Sequence, residues 1–135
     1  EKEDHKTPYK EITYKQFGED VINFGTGLTK VLNLKDERII IISETTYGWY
    51  LSYMTLLCGA GIAVPLDKEL PVNEIENLIK RSKATAVIYS AKRKDQIDKV
   101  KDNVPMVKYF IEMNSYNKVN RLSFSFKFPK ASIIV

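Results

Sequence analysis

Two glycine pairs, Gly25-Thr-Gly27 and Gly59-Ala-Gly61, two carboxylates, Glu44 and Asp67, the thiol of Cys58 and the imidazole of His5 are the groups here whose types could do chemistry. A loop that cradles phosphate needs its glycines after a strand and at a helix start, where free backbone N–H groups point at the anion. The first pair lies inside a helical pattern and the second precedes a strand, so neither qualifies. The chain has no Gly-x-x-x-x-Gly-Lys-Ser/Thr loop, no Gly-x-Ser-x-Gly elbow and no metal-ligand spacing. A phospho-receiver site needs clustered acids at strand ends; Asp67 stands alone and reads as a turn residue or cap. Cys58 has apolar neighbours and reads as a small buried side chain, not a nucleophile. His5 has no second His or Cys near it, which leaves it without a metal partner.

The elements that would position these groups are organised around Arg38 to Asp67. Arg38-Ile-Ile-Ile-Ile-Ser-Glu44 reads as a strand buried on both faces, the pattern of parallel strands in α/β proteins. Thr45 or Thr46 can cap the helix that follows, which carries Trp49, Tyr50, Tyr53, Met54, Leu56 and Leu57. Gly59 and Gly61 can end it, and Ile62 to Pro65 form a second strand. Glu44 therefore sits at a strand's C-terminal end, where α/β sites gather, or it serves the start of the next helix. Trp49 reads as a core aromatic that packs its helix onto the sheet.

Upstream, Thr13 and Gln16 have capping-box spacing, and Ile12 with Phe17 that of a hydrophobic staple. Tyr14, Phe17, Val21, Phe24, Leu28 and Val31 then form one apolar stripe, which predicts a helix from about Tyr14 to Leu32. Downstream, Asn73 and Glu76 have the spacing of a second capping pair, with Ile75, Leu78 and Ile79 on the inner face of a short helix. Ala86 to Tyr89 is a third strand, and Ser90 can cap a charged helix whose Ile97, Val100 and Val104 face inward. Val107 to Met113 is a fourth strand. This alternation predicts an α/β fold: a doubly wound, mainly parallel sheet with right-handed crossovers and flanking helices.

The tail departs from that rhythm. Leu122, Phe124, Phe126 and Phe128 alternate with polar residues as a strand with one apolar face, and Pro129 stops it. We therefore divide the chain into an α/β unit over residues 1–114 and a basic, aromatic tail over residues 115–135. The tail is an added strand or partly disordered end, or a segment foreign to the rest whose apolar face, through Phe124, Phe126 and Phe128, drives self-association.

With 135 residues the chain suits a single domain, and 44% hydrophobic with 28% charged residues is ordinary globular composition. Its net charge of +4 comes from four bases in the tail; residues 1–114 hold 17 acids and 17 bases. A nucleic-acid footprint is thereby disfavoured. A lone cysteine fits a reducing cytoplasm. The opening Glu-Lys-Glu-Asp has neither methionine nor apolar run, so no signal peptide is expected and some upstream sequence is expected to be missing. The uncharged stretch Thr45 to Leu66 is long enough to span a bilayer, but its hydroxyls, its Gly-Ala-Gly break and Pro65 favour a buried helix plus strand.

The run Ile-Ser-Glu44-Thr-Thr-Tyr-Gly-Trp49, followed by Cys-Gly-Ala-Gly61-Ile-Ala-Val-Pro-Leu-Asp67, resembles the N-terminal region of adenylate-forming acyl-CoA ligases, most nearly the long-chain fatty acyl-CoA branch. In that family a hydrophobic strand ends in Ser-Glu-Asn, a Trp follows, and an Ala-Gly-Ala-type turn leads into a Val-Pro strand. Thr45 stands where the family usually has Asn. The likeness runs from about residue 8 to 113, through Ile12-Thr-Tyr14, Phe17, Leu70-Pro71, Asn73-Glu-Ile-Glu76 and Ser82-Lys-Ala84.

The resemblance implies a parent enzyme that activates a fatty acid with ATP and Mg²⁺ to an acyl-adenylate, releases pyrophosphate, and passes the acyl group to coenzyme A. It leaves peripheral membrane contact of the parent open and gives no role to nucleic acid. The family's Ser/Thr/Gly-rich phosphate loop ending in Pro-Lys, its aromatic-Thr-Glu segment, its hinge Asp and the Lys of its mobile C-terminal domain do not occur in this sequence. That chemistry needs positive charge where the phosphates build up negative charge. The chain is thus expected to be an inactive N-terminal fragment with no catalytic, cofactor-binding or metal-binding residue of its own. A stand-alone, non-catalytic protein-association module is the alternative.

Overall fold

The structure is a computed structural model, and it describes residues 13–113 together with 126–127 and 132–133. Tyr14–Thr26 form α1, opened by the expected capping box: Thr13 accepts from the Gln16 N–H while the Gln16 side chain accepts from the Thr13 N–H. The helix continues as a wider π turn over Gly27–Val31. That turn advances fewer degrees per residue, so Val31 swings off the inner stripe and is 53% exposed, while Leu32 takes the inward place. Tyr14, at the opposite end, is exposed as well, in the first turn of the helix. The stripe predicted from Tyr14 to Val31 is therefore buried only in its middle, at Phe24 and Leu28 with Phe17 and Val21 packed beside them. Ile12, the other half of the proposed staple, lies outside the described residues.

Arg38–Ile42 form β1, Tyr47–Thr55 form α2 with a π turn over Leu56–Ala60, and Ile62–Pro65 form β2. Val72–Ser82 form α3, Ala86–Ser90 β3, Lys94–Val100 α4 and Tyr109–Met113 β4. Two further short strands, β5 at Phe126–Lys127 and β6 at Ser132–Ile133, complete a sheet of order β2-β1-β3-β4-β5-β6. The first four strands are parallel; β5 joins β4 antiparallel, with Phe126 opposite both Met113 and Ile133. Phe124, Phe128 and Leu122 lie outside the described residues.

Alternation along β1 decides which layer each isoleucine enters. Ile39 and Ile41 join a core with Phe24 and Leu28 of α1 and Leu51 and Leu56 of α2 and its π turn. Ile40 and Ile42 join a second core with Ile75 and Ile79 of α3 and Ile97 and Val100 of α4. Helices thus cover both faces. The chain steps from β1 to β2 beneath α2, then returns across β1 to β3 beneath α3 on the other face. Reversing both direction and face keeps the crossovers of one hand, as right-twisted strands require. This is the doubly wound α/β sheet expected of the sequence.

Two local readings need correction. Asn73 does not cap α3: the helix begins one residue earlier, at Val72, after Pro71, whose carbonyl accepts from the Glu74 and Ile75 N–H groups. Proline's fixed φ already suits a helix entry, and Glu76 is used elsewhere, accepting from Asn103 Nδ2 at 3.0 Å and from Lys80 Nζ at 3.1 Å. Cys58 is exposed, not buried. Its helix is apolar on every side, so apolar neighbours in sequence do not mark the inward face. The uncharged stretch resolves into α2, its π turn and β2, and among the described residues no helix is long and apolar enough to cross a membrane.

Candidate functional site

In an open parallel sheet, the crevice that can admit a ligand lies at the carboxyl ends of two neighbouring strands whose following connections run to opposite faces. Here those strands are β1 and β3: α2 leaves β1 on one face and α4 leaves β3 on the other. The residues delivered to that point are Ser43 and Glu44 after β1, and Ser90 at the end of β3 with the short 3₁₀ turn Ala91–Arg93 behind it.

Side chains fill this point from both strands. Glu44 Oε2 accepts a hydrogen bond from Ser90 Oγ at 3.1 Å and lies 3.1 Å from Arg93 Nε. The Arg93 Nε–H is buried without a directed acceptor, so its contact with Glu44 is one of charge and not a hydrogen bond. Arg93 is held by its other end, Nη1 donating to the Lys68 carbonyl at 3.3 Å and to Gln96 Oε1 at 3.4 Å. Both partners of the pair are about three-quarters buried, which shields the pair from much of the solvent screening that weakens surface ion pairs. The Glu44 carboxylate thus reaches across to β3, not to the start of α2. Thr46 occupies the cap position of α2 without a side-chain bond. Ser90 likewise stands at a cap position by its backbone, but its hydroxyl goes to Glu44, which corrects the capping role read from the sequence.

The remaining candidates fall in separate places. Asp67 makes a tight turn, its Oδ1 accepting from the Glu69 N–H at 2.9 Å, as a turn residue should. Trp49 is half-buried at the edge of the α1–α2 core, stacked on Tyr53 with ring centres 5.1 Å apart and edge-on to Tyr50 at 5.5 Å. Gly25 and Gly27 lie in the first helix and its π turn, and Gly25 approaches Thr55 closely: a Cβ there would sit 3.4 Å from Thr55 Cγ2. Gly59 and Gly61 carry the turn into β2 for two different reasons. Gly59 has φ +113°, a conformation that L side chains rarely adopt, whereas a Cβ on Gly61 would lie 2.9 Å from Ile39 Cδ1 and 3.2 Å from the Glu37 carbonyl. Neither pair presents a ring of free N–H groups after a strand.

Sequence reasoning missed Arg93. It stands in Lys92-Arg93-Lys94, a run that looks like a solvated helix face, and nothing in its spacing distinguishes it from its neighbours. Only the β1–β3 pairing, which sets Ile42 beside Tyr89, brings it to Glu44. Near that register, burial and then the negative charge of Glu112 and Asp98 push the Tyr89 phenol up to about 12. Among the described residues, no three of His, Cys, Asp and Glu gather as a metal site would require.

The family model for the AMP-binding enzyme matches residues 2–131. A CoA ligase from Gibberella moniliformis is 33% identical over 78 residues, which cover 55% of this chain and 13% of that protein. A chloroplastic long-chain-fatty-acid–[acyl-carrier-protein] ligase from Arabidopsis thaliana is 27% identical over 85 residues, 62% of this chain and 11% of that one. In fold, the chain is similar to an anthranilate CoA ligase solved in complex with anthranoyl-AMP, with a TM-score of 0.72 at 19% identity over 82% of this chain and 21% of that one. The chain therefore spans a small part of the length of the relatives it matches. A model match over nearly the whole chain, joined to a doubly wound sheet of the same fold, establishes that this chain belongs to the AMP-binding enzyme family.

Proposed function

We propose that this chain is the opening segment of an AMP-forming acyl-CoA ligase of the long-chain type. The parent enzyme joins a fatty acid carboxylate to the AMP moiety of ATP, with Mg²⁺ and release of pyrophosphate, and then transfers the acyl group to the thiol of coenzyme A. The observation that carries this reading is the family match across residues 2–131. The long-chain assignment is supported by the name of the Arabidopsis relative and by the Ser43-Glu44 to Asp67 motif.

Within the parent, this segment acts as scaffold. The crevice where an α/β sheet would admit a ligand is occupied by Glu44, Ser90 and Arg93, and the glycine pairs serve helix packing and a turn. We assign the binding of ATP, Mg²⁺ and coenzyme A to the length of the relatives that this chain does not span. Alone, the segment is inactive. We place the parent in the cytoplasm on the strength of the single, unpaired cysteine.

The deciding experiment is to sequence the source DNA through and beyond the Val135 codon in all three frames. A Ser/Thr/Gly-rich loop ending in Pro-Lys downstream is the expected result. A frame that closes at Val135 with no such loop in any frame would overturn the ligase reading and leave a stand-alone association module.

A further inference from the structure

The four parallel strands all begin at one end of the molecule, and the connections into them carry both charge and apolar side chains there. The Arg38 carbonyl accepts from the Thr85 N–H at 2.8 Å and the Thr85 carbonyl from the Lys108 N–H at 2.7 Å, while Ile62 pairs with Arg38 on its other side. Ile62, Arg38, Thr85 and Lys108 therefore stand in one row along the starting edge of the sheet. Lys30 and Lys35 lead into this row from the first π turn, and Arg81 and Lys83 from the end of α3. All six bases are exposed. The acids at this end are Asp36 and Glu37, and Glu37 Oε1 is engaged by the Thr85 hydroxyl at 2.5 Å.

Six bases against two acids give this end a net charge of +4. At the opposite end, Glu44 with residues 67–69 and 92–95 balances four acids against four bases. Bases near a helix C-terminus complement its dipole, which accounts for Lys30, Arg81 and Lys83 without any ligand. It does not account for Lys35, Arg38 and Lys108, which precede or open strands. Nor does it explain the apolar side chains set among them: Val31, Ile62 and Met106 are 53%, 49% and 43% exposed.

This mixture indicates the partner. A lipid interface takes both kinds of side chain, since anionic headgroups meet Lys and Arg while aliphatic groups sink toward the acyl chains. A nucleic acid would take the charge alone, because Val, Ile and Met offer no face for base stacking. The bases arrive on separate connections into β1, β3 and β4, not in one groove, which suits many mobile headgroups better than one shaped ligand. We propose that this end of the sheet is a peripheral docking surface for an anionic bilayer, with Lys35, Arg38 and Lys108 at the headgroups and Val31, Ile62 and Met106 at the acyl boundary. The attraction falls off within a Debye length, so docking is reversible and weakened by salt. The inference rests on the surface of this chain and not on the ligase reading. Vesicle partition is read without any activity, so its failure leaves that reading standing, and the DNA sequence can fail without touching the surface.

The test is cosedimentation of the full chain with vesicles of phosphatidylcholine alone and of phosphatidylcholine mixed with phosphatidylserine, at low and high salt. The expected result is partition onto the anionic vesicles only, reduced by salt. Lys35→Glu/Lys108→Glu should weaken it about tenfold or more, with unchanged melting temperature because both side chains are exposed. Lys92→Glu/Lys99→Glu, the same charge change away from this end, should weaken it much less. In Met106→Trp, the added indole should shift to the blue on binding and be quenched by lipids brominated on their acyl chains, with the native chain and its Trp49 as baseline. No partition overturns the proposal and leaves this end to packing within a longer polypeptide. Equal loss in the two charge-reversed pairs overturns it in favour of general charge attraction. Partition onto neutral vesicles that ignores both pairs overturns it in favour of the exposed apolar side of α2. Binding to polyglutamate or DNA without vesicle partition overturns it in favour of an acidic macromolecule.

Discussion

At the C-terminal end of β1, a single carboxylate decides how the sheet's crevice is closed. Glu44 accepts from Ser90 and faces Arg93, so replacing it by Gln keeps an acceptor for the hydroxyl and removes the charge. Glu44→Gln should cost about 1 kcal/mol in urea unfolding through loss of the charge facing Arg93, and Glu44→Ala more, because it also leaves the Ser90 hydroxyl without its acceptor. A double-mutant cycle with Arg93→Ala measures the pair; coupling near zero would show that Glu44 acts through Ser90 alone. The glycines of the turn separate by the same logic. Gly59→Ala forces a side chain into φ +113° and should cost on the order of 1–2 kcal/mol. Gly61→Ala meets Ile39 and the Glu37 carbonyl and should cost a comparable amount through repacking. Glycine pairs of this kind look alike in a sequence; one answers a backbone angle and the other a lack of space.

Elements in this fold are held at their ends as much as along their faces. The Thr13 and Gln16 capping box supports α1, and Thr13→Ala should lower stability by about 1 kcal/mol, read as a shift in the denaturation midpoint. At the other end of the helical repertoire, Lys83 closes α3 in the left-handed conformation, φ 58° and ψ 39°. Lys83→Gly should therefore raise stability by up to about 1 kcal/mol, a gain that would be absent if Lys83 contributed through its charge. Glu76 ties the two helices of the second face by accepting from Asn103 beyond α4 while paired with Lys80 on α3. Those two hydrogen bonds hold its carboxyl below the usual carboxylate range, so the tie is present above the unfolded carboxylate range and is lost as acid protonates it.

On the scale of the whole molecule, two cores on opposite faces of one sheet make stability depend on groups buried between layers. Tyr89 is such a group, almost fully buried in the core shared by β1, β3, α3 and α4. Its phenol is raised from an ordinary value near 10 to about 12, first by burial and then by Glu112 and Asp98. The folded chain thus favours the neutral phenol: the associated stability is complete below about pH 10 and is lost as pH rises through about 12. Lys94, raised by its bond and charge contact with Asp98, likewise loses its contribution as pH rises above the ordinary lysine value. The expected outcome is an unfolding free energy that falls between about pH 10 and 12 in the native chain and falls less in Tyr89→Phe, in which only the phenol's part is removed. Equal slopes in the two proteins would show that the phenol titrates alike folded and unfolded.

Periodicity by itself determined the elements of this protein and their order. Four isoleucines bounded by Arg38 and Ser43 specify a strand buried twice over, the Thr13 and Gln16 spacing specifies a helix start, and strand–helix alternation specifies a doubly wound α/β sheet. The motif from Ser43 to Asp67 also pointed to the family, because its glycines, Trp and Val-Pro strand are fixed by local geometry that sequence records. Only the tertiary structure decided what Glu44 does, since Ser90 and Arg93 are distant in sequence and meet it only through the pairing of β1 with β3. It alone decided that Cys58, Tyr50, Met54 and Leu57 face outward, because in a helix without charge no periodic contrast marks which side is the inside.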